Sequence, residues 1–177
     1  IMENRFVVAG FGGQGVMMIG QLLCYAALDY GKEALFLPHY GPEQRGGTAN
    51  CSVTISDEPI YSPLVRYIDV LIAMNDPSLA KFENRVKPGG SILINSSLCT
   101  HAVQRKDVNV VMVPADDIAA EIGSKKVANI VMLSAYAKVA NLFSEAEIIG
   151  TVTKKLGRKV EFLPMNKEAV RRGMAAV

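Results

Sequence analysis

The stretch RFVVAGFGGQGVMMIG, residues 5–20, constrains the fold more than any other in this chain. A short valine-rich run reads as a buried strand. Glycines at 10, 12 and 15 then follow in G-x-G-x-x-G spacing, and VMMIGQLLCYAALDYG carries apolar residues over most of a helix surface. The unit is strand, glycine loop, helix, closed by Gly31 as C-cap. Glycines at these positions let the chain turn sharply, bring bare N–H groups close to an anion and seat the helix against the sheet.

The remaining pattern repeats that alternation. EALFLP is a second strand, and HYGPEQRGGTAN has the glycines, proline and lack of period of a loop. CSVTISDEPIYSP alternates and turns at Asp57-Glu58-Pro59, which predicts a strand leaving through a tight turn or a hairpin there. DVLIAMN is a buried strand, with Asp76 as N-cap and Pro77 at the first helical position of SLAKFENRV. KPGG ends that helix, SILINSS and VNVVMVP are further strands, and the last third is helical, including a capping box from Ser144 to Glu147 and the nearly all-apolar KVANIVMLSAYAKVANLF. The expected fold is α/β, a Rossmann-like three-layer sandwich with a mainly parallel sheet, an antiparallel edge from residues 51–62 and a helical C-terminal third, all within one domain over residues 1–177.

Composition narrows the function classes. Lys plus Arg number 19 against 17 Asp plus Glu, so no basic stripe or acidic tail announces nucleic acid or membrane. No apolar run approaches the roughly 20 residues of a bilayer crossing, and the N-terminal residues enter a strand instead of a signal peptide, so a cytoplasmic protein is expected. Cys24, Cys51 and Cys99 are far apart and the chain has two histidines, which argues against a zinc site or a protein-bound iron–sulfur cluster and for inert thiols in a reducing compartment. No Ser/His/Asp set or carboxylate pair reads as a catalytic engine, so no catalytic residue is assigned.

A dinucleotide-binding loop needs an acid at the end of the second strand for the ribose hydroxyls, or an arginine for a 2′-phosphate. That strand ends LFLPHYG, while Asp29 and Glu33 lie before it or at its start. The fingerprint is half present. A stand-alone nucleotide-binding reductase and an adenine-nucleotide-binding module therefore stay open as alternatives to an accessory role. The second loop is the unusual one: Glu43 and Arg45 stand on a glycine-rich segment directly after a strand, on the carboxyl edge where α/β sheets keep ligand sites. They also read as a solvated ion pair of little energetic weight.

The combination of GFGGQGV, GKEALFLPHYGPEQRGGTANCSVTISDEPI, DVLIAMN and KPGGSILINSS, in that order, resembles the gamma subunit of 2-oxoacid:ferredoxin oxidoreductases from about residue 5 to about residue 157. The resemblance implies a multisubunit enzyme that oxidatively decarboxylates a 2-oxoacid with coenzyme A to acyl-CoA, carbon dioxide and reduced ferredoxin. It implies alpha and beta partner subunits, a ferredoxin-like delta subunit or ferredoxin, and thiamine diphosphate and iron–sulfur clusters held in those partners. This chain would be a scaffold beside the thiamine site, inactive alone, with no tightly bound cofactor, and in contact with coenzyme A. The wording RGGTANCSV leans toward a 2-oxoglutarate or generic 2-oxoacid enzyme. An isolated chain of this kind is expected to dimerise or to expose an apolar patch of several hundred Å².

The residues expected to meet a ligand are Gly10, Gly12, Gly13, Gln14, Gly15 and Val16 on the first loop, and Tyr40, Gly41, Glu43, Arg45, Gly46 and Gly47 on the second. The N–H groups of Gly12 to Val16 suit phosphates, and Arg45 adds a planar charged fork. Gln14 is expected to tie one loop to the other, and Glu43 to hold Arg45. Tyr40 and Pro42 stiffen the loop, His39 receives no role, and the methionines fill the core. Asn129, early in a buried helix, needs a partner such as a loop carbonyl.

Overall fold

The computed structural model describes residues 2–41, 47–62 and 66–177. Six strands form one sheet: β1 (Glu3–Phe11), β2 (Glu33–Tyr40), β3 (Thr48–Ser56), β4 (Ile68–Ala73), β5 (Val86–Asn95) and β6 (Asn109–Val113), in the order β2-β3-β1-β4-β5-β6. β1, β4, β5 and β6 pair in parallel, and β3 runs antiparallel between β1 and β2. The α/β reading with an antiparallel side holds. The hairpin, however, is β2–β3 around the second glycine segment and not a turn at Asp57-Glu58-Pro59. His39 pairs with Asn50 and Tyr40 with Ala49, so the strands reach further into the expected loop than its polarity suggested. Ladder hydrogen bonding accepts polar and glycine-flanked residues when the neighbouring strand fixes the register.

The alternation of side chains sorts the sheet into two faces. Phe6, Val8, Val53, Ile55, Ile72 and Leu93 point to one face, under helices α1 (Val16–Asp29), α3 (Ala115–Ile122), α4 (Ala128–Ala140), α5 (Glu145–Leu156) and α6 (Leu163–Ala175). Val7, Ala9, Leu71, Ile92 and Ile94 point to the other, where α2 (Asp76–Phe82) contributes Leu79 and Phe82. Among the described residues the layers are therefore unequal, with five α-helices above the sheet and one below. Each buried Leu or Ile on these faces contributes about 1.5–3 kcal/mol.

Local chemistry sets the ends of the helices. α1 stops in a Schellman closure, with Gly31 at φ 76, Lys32 N–H donating to the Ala27 carbonyl at 2.8 Å and Gly31 N–H to Leu28 at 3.4 Å. α2 begins one residue earlier than expected: Asn75 is its N-cap, accepting from Ser78 N–H at 2.9 Å, with Asp76 and Pro77 inside the first turn. KPGG lies within β5 instead of ending the helix, which closes through a 3-10 turn over Glu83–Arg85. The Ser144–Glu147 capping box forms in both directions, at 2.9 and 3.1 Å.

Helix α4 is buried on every side from Ala128 to Ala137 because it lies between the sheet and the α3/α6 pair. Its closest neighbour arrives at Gly173 of α6, where an added Cβ would stand 2.4 Å from the Val131 carbonyl. No larger residue fits that crossing. No helix among the described residues is long and apolar enough to cross a membrane.

Candidate functional site

β1 and β2 end on the same edge of the sheet, and both glycine segments stand there. β1 hands the chain to the first loop through Phe11, paired with Thr48 of β3. Gly12 N–H then donates to the Gly47 carbonyl at 2.8 Å, and Gly41 N–H to the Thr48 carbonyl at 2.7 Å. The shared edge expected from sequence is thus a direct backbone contact. Glu43, Arg45 and Gly46, with Pro42, lie outside the described residues. Tyr40, at the end of β2, is 74% exposed.

The first loop is held from within. Gln14 Oε1 accepts from Phe11 N–H at 2.6 Å and from the Asn75 amide at 3.2 Å, and its Nε2 donates to the Met74 carbonyl at 3.3 Å. Among the described residues Gln14 therefore ties the loop to the end of β4, while the second glycine segment is reached through backbone atoms at Gly47. Gly10 explains how the side chain folds back: a Cβ there would sit 2.6 Å from Gln14 Oε1 and 2.9 Å from Met74. Gly15, the N-cap of α1, has φ 76 and offers no side-chain cap. A Cβ on it would be 2.7 Å from the Asn129 amide nitrogen, so both backbone angle and space demand glycine.

The donor set is smaller than the sequence suggested. Gly12 N–H is spent on Gly47, and Gln14 N–H donates to the Phe11 carbonyl at 3.2 Å. Gly13, Gly15 and Val16 N–H groups donate to no described residue, and they open the positive end of a 14-residue helix. Val16 contributes its backbone alone, since its side chain is buried in the core.

Beside these donors lies a cleft of about 570 Å³, lined by Gly13, Gln14, Gly15, Met18, Met74, Leu98, Asp116, Lys125, Lys126 and Asn129. Lys125 and Lys126 sit on the short turn before α4, and neither has a carboxylate partner among the described residues. Ser124 caps that turn, its hydroxyl accepting from Lys126 N–H at 3.3 Å. Across the cleft, Asp116 Oδ1 accepts from the Asn95 amide at 2.8 Å. Asn95 is wholly buried, and its Oδ1 accepts from Ala115 N–H at 3.2 Å and Ser97 N–H at 3.3 Å, which fixes the start of α3 to the end of β5.

Asn129 and the two lysines are residues that the sequence reading did not place in the site. Asn129 is 8% exposed, and its amide meets the Met18 thioether at 2.9 Å while its Oδ1 accepts from Ile130 N–H at 2.9 Å. The expected loop carbonyl is not its partner. The signal available in the sequence was a polar residue at the head of an apolar helix, which says that a partner is needed but not which one.

The thiols are shielded. Burial pushes Cys24 and Cys51 up to about 12 and Cys99 to about 11, so none is a ready thiolate near neutral pH. Among the described residues no group of three His, Cys, Asp or Glu side chains is arranged to hold a metal ion. Asp29 serves structure: at the end of α1 it accepts from Thr151 Oγ1 at 2.9 Å and from Lys154 Nζ at 3.0 Å, far from the glycine loop.

Fold and site together define a Rossmann-like α/β domain whose β2 lacks the ribose-holding acid of dinucleotide enzymes and whose first loop is braced by a glutamine. The chain matches the pyruvate ferredoxin/flavodoxin oxidoreductase family over residues 5–176 and belongs to it. It is 38% identical over 160 residues to the 2-oxoglutarate synthase subunit KorC of Methanocaldococcus jannaschii, covering 86% of each chain. It is 47% identical over 131 residues to the ketoisovalerate oxidoreductase subunit VorA of Methanothermobacter thermautotrophicus, which is 74% of this chain and 27% of that protein. The chain thus spans about a quarter of the length of the ketoisovalerate relatives that it matches. Among solved structures, 2-oxoglutarate:ferredoxin oxidoreductase from Magnetococcus marinus, with 2-oxoglutarate, coenzyme A and succinyl-CoA bound, superposes with a TM-score of 0.89 at 26% identity, over 99% of this chain and 31% of that one.

Proposed function

We propose that this chain is the gamma-type subunit of a 2-oxoacid:ferredoxin oxidoreductase, with 2-oxoglutarate the first substrate to test. Its partners would be the alpha and beta subunits that bear thiamine diphosphate, with a ferredoxin-like delta subunit or ferredoxin. The whole enzyme would convert a 2-oxoacid and coenzyme A to acyl-CoA, carbon dioxide and reduced ferredoxin. The observation that carries the reading is the 2.8 Å bond from Gly12 to Gly47, which joins two family-typical glycine segments into one edge beside a cleft whose two lysines pair with no carboxylate among the described residues.

In this reading the chain binds and orients. Coenzyme A supplies the thiol that accepts the acyl group. The N–H groups of Gly13, Gly15 and Val16 and the ammonium groups of Lys125 and Lys126 suit its phosphates by charge and hydrogen bonding. Arg45 would add a planar fork from the second loop. Support comes from the coenzyme A bound in the Magnetococcus enzyme and from KorC, which matches this chain nearly end to end.

The test is a strictly anaerobic pull-down of the chain from its source cells, assaying the eluate for coenzyme A-dependent reduction of a viologen dye by several 2-oxoacids. Co-purifying thiamine and iron–sulfur subunits with activity are expected, and the preferred 2-oxoacid names the substrate. A chain that emerges alone and inactive overturns the reading. Within an active complex, Lys125→Gln is expected to raise KM for coenzyme A several-fold at unchanged kcat, and an unchanged KM would remove the cleft from the proposal.

A further inference from the structure

Behind the glycine-loop cleft, in the helical layer, lies a second cavity of about 290 Å³ that shares Met18, Lys126 and Asn129 with the cleft and whose other walls the reading above does not use. Its walls are Met18 of α1, the head of α4, the end of α5 and the head of α6. The floor is apolar, with Ile130, Leu156 and the half-buried ring of Phe162. Four cations, Lys126, Lys155, Arg158 and Lys159, stand round it, and none of the residues lining it is acidic.

None of those cations is within salt-bridge distance of a carboxylate among the described residues. They lean on rings instead. Lys126 and Lys159 lie 5.7 and 5.9 Å from the Phe162 centroid, and Lys155 lies 3.9 Å from that of Tyr25. A lysine in the last turn of α5 complements the helix dipole, which accounts for Lys155. It does not account for Lys126 on another element, nor for Arg158 and Lys159 beyond the helix end.

The second observation is Asn166. It stands near the start of α6, is 5% exposed, lines the cavity, and its amide forms no hydrogen bond with any described residue. The described side-chain atoms that are sealed from solvent without a partner are Glu83 Oε2 and Ser134 Oγ; the Asn166 amide is not among them, so it opens to the cavity with its donors and acceptor unused. An Asn amide offers one donor face and one acceptor face, the pattern that pairs with the edge of a nucleobase.

We infer that the cavity between α1, α4, α5 and α6 is a binding site for a nucleoside phosphate, with Asn166 reading the base edge, Phe162 lying against the base and Arg158 and Lys159 taking the phosphates. The volume is near the lower end of small-ligand pockets and suits a base with its sugar. This inference does not depend on the glycine loop, and it holds or fails whether or not the chain joins an oxidoreductase.

The test is titration of the full chain with ADP, with coenzyme A and with inorganic phosphate by isothermal calorimetry. ADP or coenzyme A is expected to saturate at micromolar to submillimolar concentration, and an Arg158→Gln/Lys159→Gln double variant to weaken binding at least tenfold. Both positions are exposed, so this variant folds; Asn166→Ala is expected to weaken ADP by a similar factor while leaving phosphate unaffected. Coenzyme A binding tenfold more tightly than ADP supports the site with coenzyme A as the source of the nucleotide, and equal affinities support it with a free nucleotide. Absence of saturation by either at millimolar concentration overturns it. So does inorganic phosphate that binds as tightly as ADP, or ADP binding that the double variant leaves intact.

Discussion

The two edges of the sheet are held by different chemistry. At the amino edge the strand ends are stitched by charges: Arg5 to Glu3 and Lys32 to Asp57, both at 2.8 Å, Lys87 to Asp69 at 2.6 Å, and Arg105 to Asp107 at 2.8 Å. At the carboxyl edge neutral amides share the corresponding work with Asp76, which accepts from Thr100 N–H at 2.9 Å and His101 N–H at 2.8 Å. Gln14, Asn75 and Asn95 each bridge the end of one strand to the next loop or helix. Amides fix backbone geometry without setting up a field of their own. The two lysines beside the glycine loop line a cleft in which the acidic lining residue is Asp116, engaged by Asn95. An edge meant for an anion is better braced by amides than by carboxylates, because each carboxylate would repel what the helix start attracts.

The contrast makes a ranked set of expectations. The largest concerns Asn95. Asn95→Ala strips the partners from Ala115 N–H and Ser97 N–H in a fully buried place, and a loss of about 3 kcal/mol is expected in urea unfolding. A cost under about 1 kcal/mol would show that the carboxyl edge does not rest on its amides.

Next comes the loop itself. Gly15→Ala forces a Cβ into the left-handed region and against Asn129, with an expected cost of about 2 kcal/mol or more. Gln14→Ala loses bonds to Phe11, Met74 and Asn75, for about 2 kcal/mol together with faster amide exchange at Phe11. If Phe11 exchange stays slow in that variant, the glutamine is not the brace described here.

At the amino edge the effects are expected to be small. Asp57→Asn breaks an exposed pair with Lys32, so only a small change in stability is expected, shrinking further in 0.5 M salt. A salt-insensitive loss as large as that of Asn95→Ala would erase the comparison.

The pH dependence follows from the same edge. Hydrogen bonds from Lys32 and Arg105 hold the Asp57 and Asp107 carboxyls below the usual range. A depressed folded-state value means that the unfolded chain binds protons first. The stabilisation is therefore complete above the ordinary carboxylate range near pH 4 and is lost as the pH falls through the lower folded-state values. An Asp57→Asn/Asp107→Asn double variant is expected to show a flatter acid limb in thermal unfolding, with its deficit present at pH 7 and closing as the pH falls through the carboxylate range.

Much of this was legible in the sequence, because it depends on neighbours along the chain. The glycine spacing of the first loop, the valine run before it, Gly31 as the close of α1, and the Ser144–Glu147 box are all local signals, and each stands where it was read. The buried character of α4 was equally plain from its composition. The missing ribose acid was legible too: β2 ends in Leu37, Pro38, His39 and Tyr40, while Asp29 and Glu33 fall at the opposite edge.

What required the folded chain was every pairing between segments distant in sequence. The hairpin formed around the second glycine segment because β3 inserts between β2 and β1, and no local pattern encodes which strand lies between which. Gln14 bonded to β4 sixty residues away, Asn129 found Met18, and Asn166 came to face a cavity walled by four helices. Lys125 and Lys126 look like an ordinary solvated pair in the sequence and become cleft residues only once α4 is docked beside the first loop. Residue types and spacing thus determined the family resemblance, the strand–loop–helix units and the loss of the dinucleotide acid. Tertiary packing alone decided which amides brace the carboxyl edge and which charges remain free there, since hydrogen bonds and ion pairs depend on distances of a few ångströms that spacing along the chain does not set.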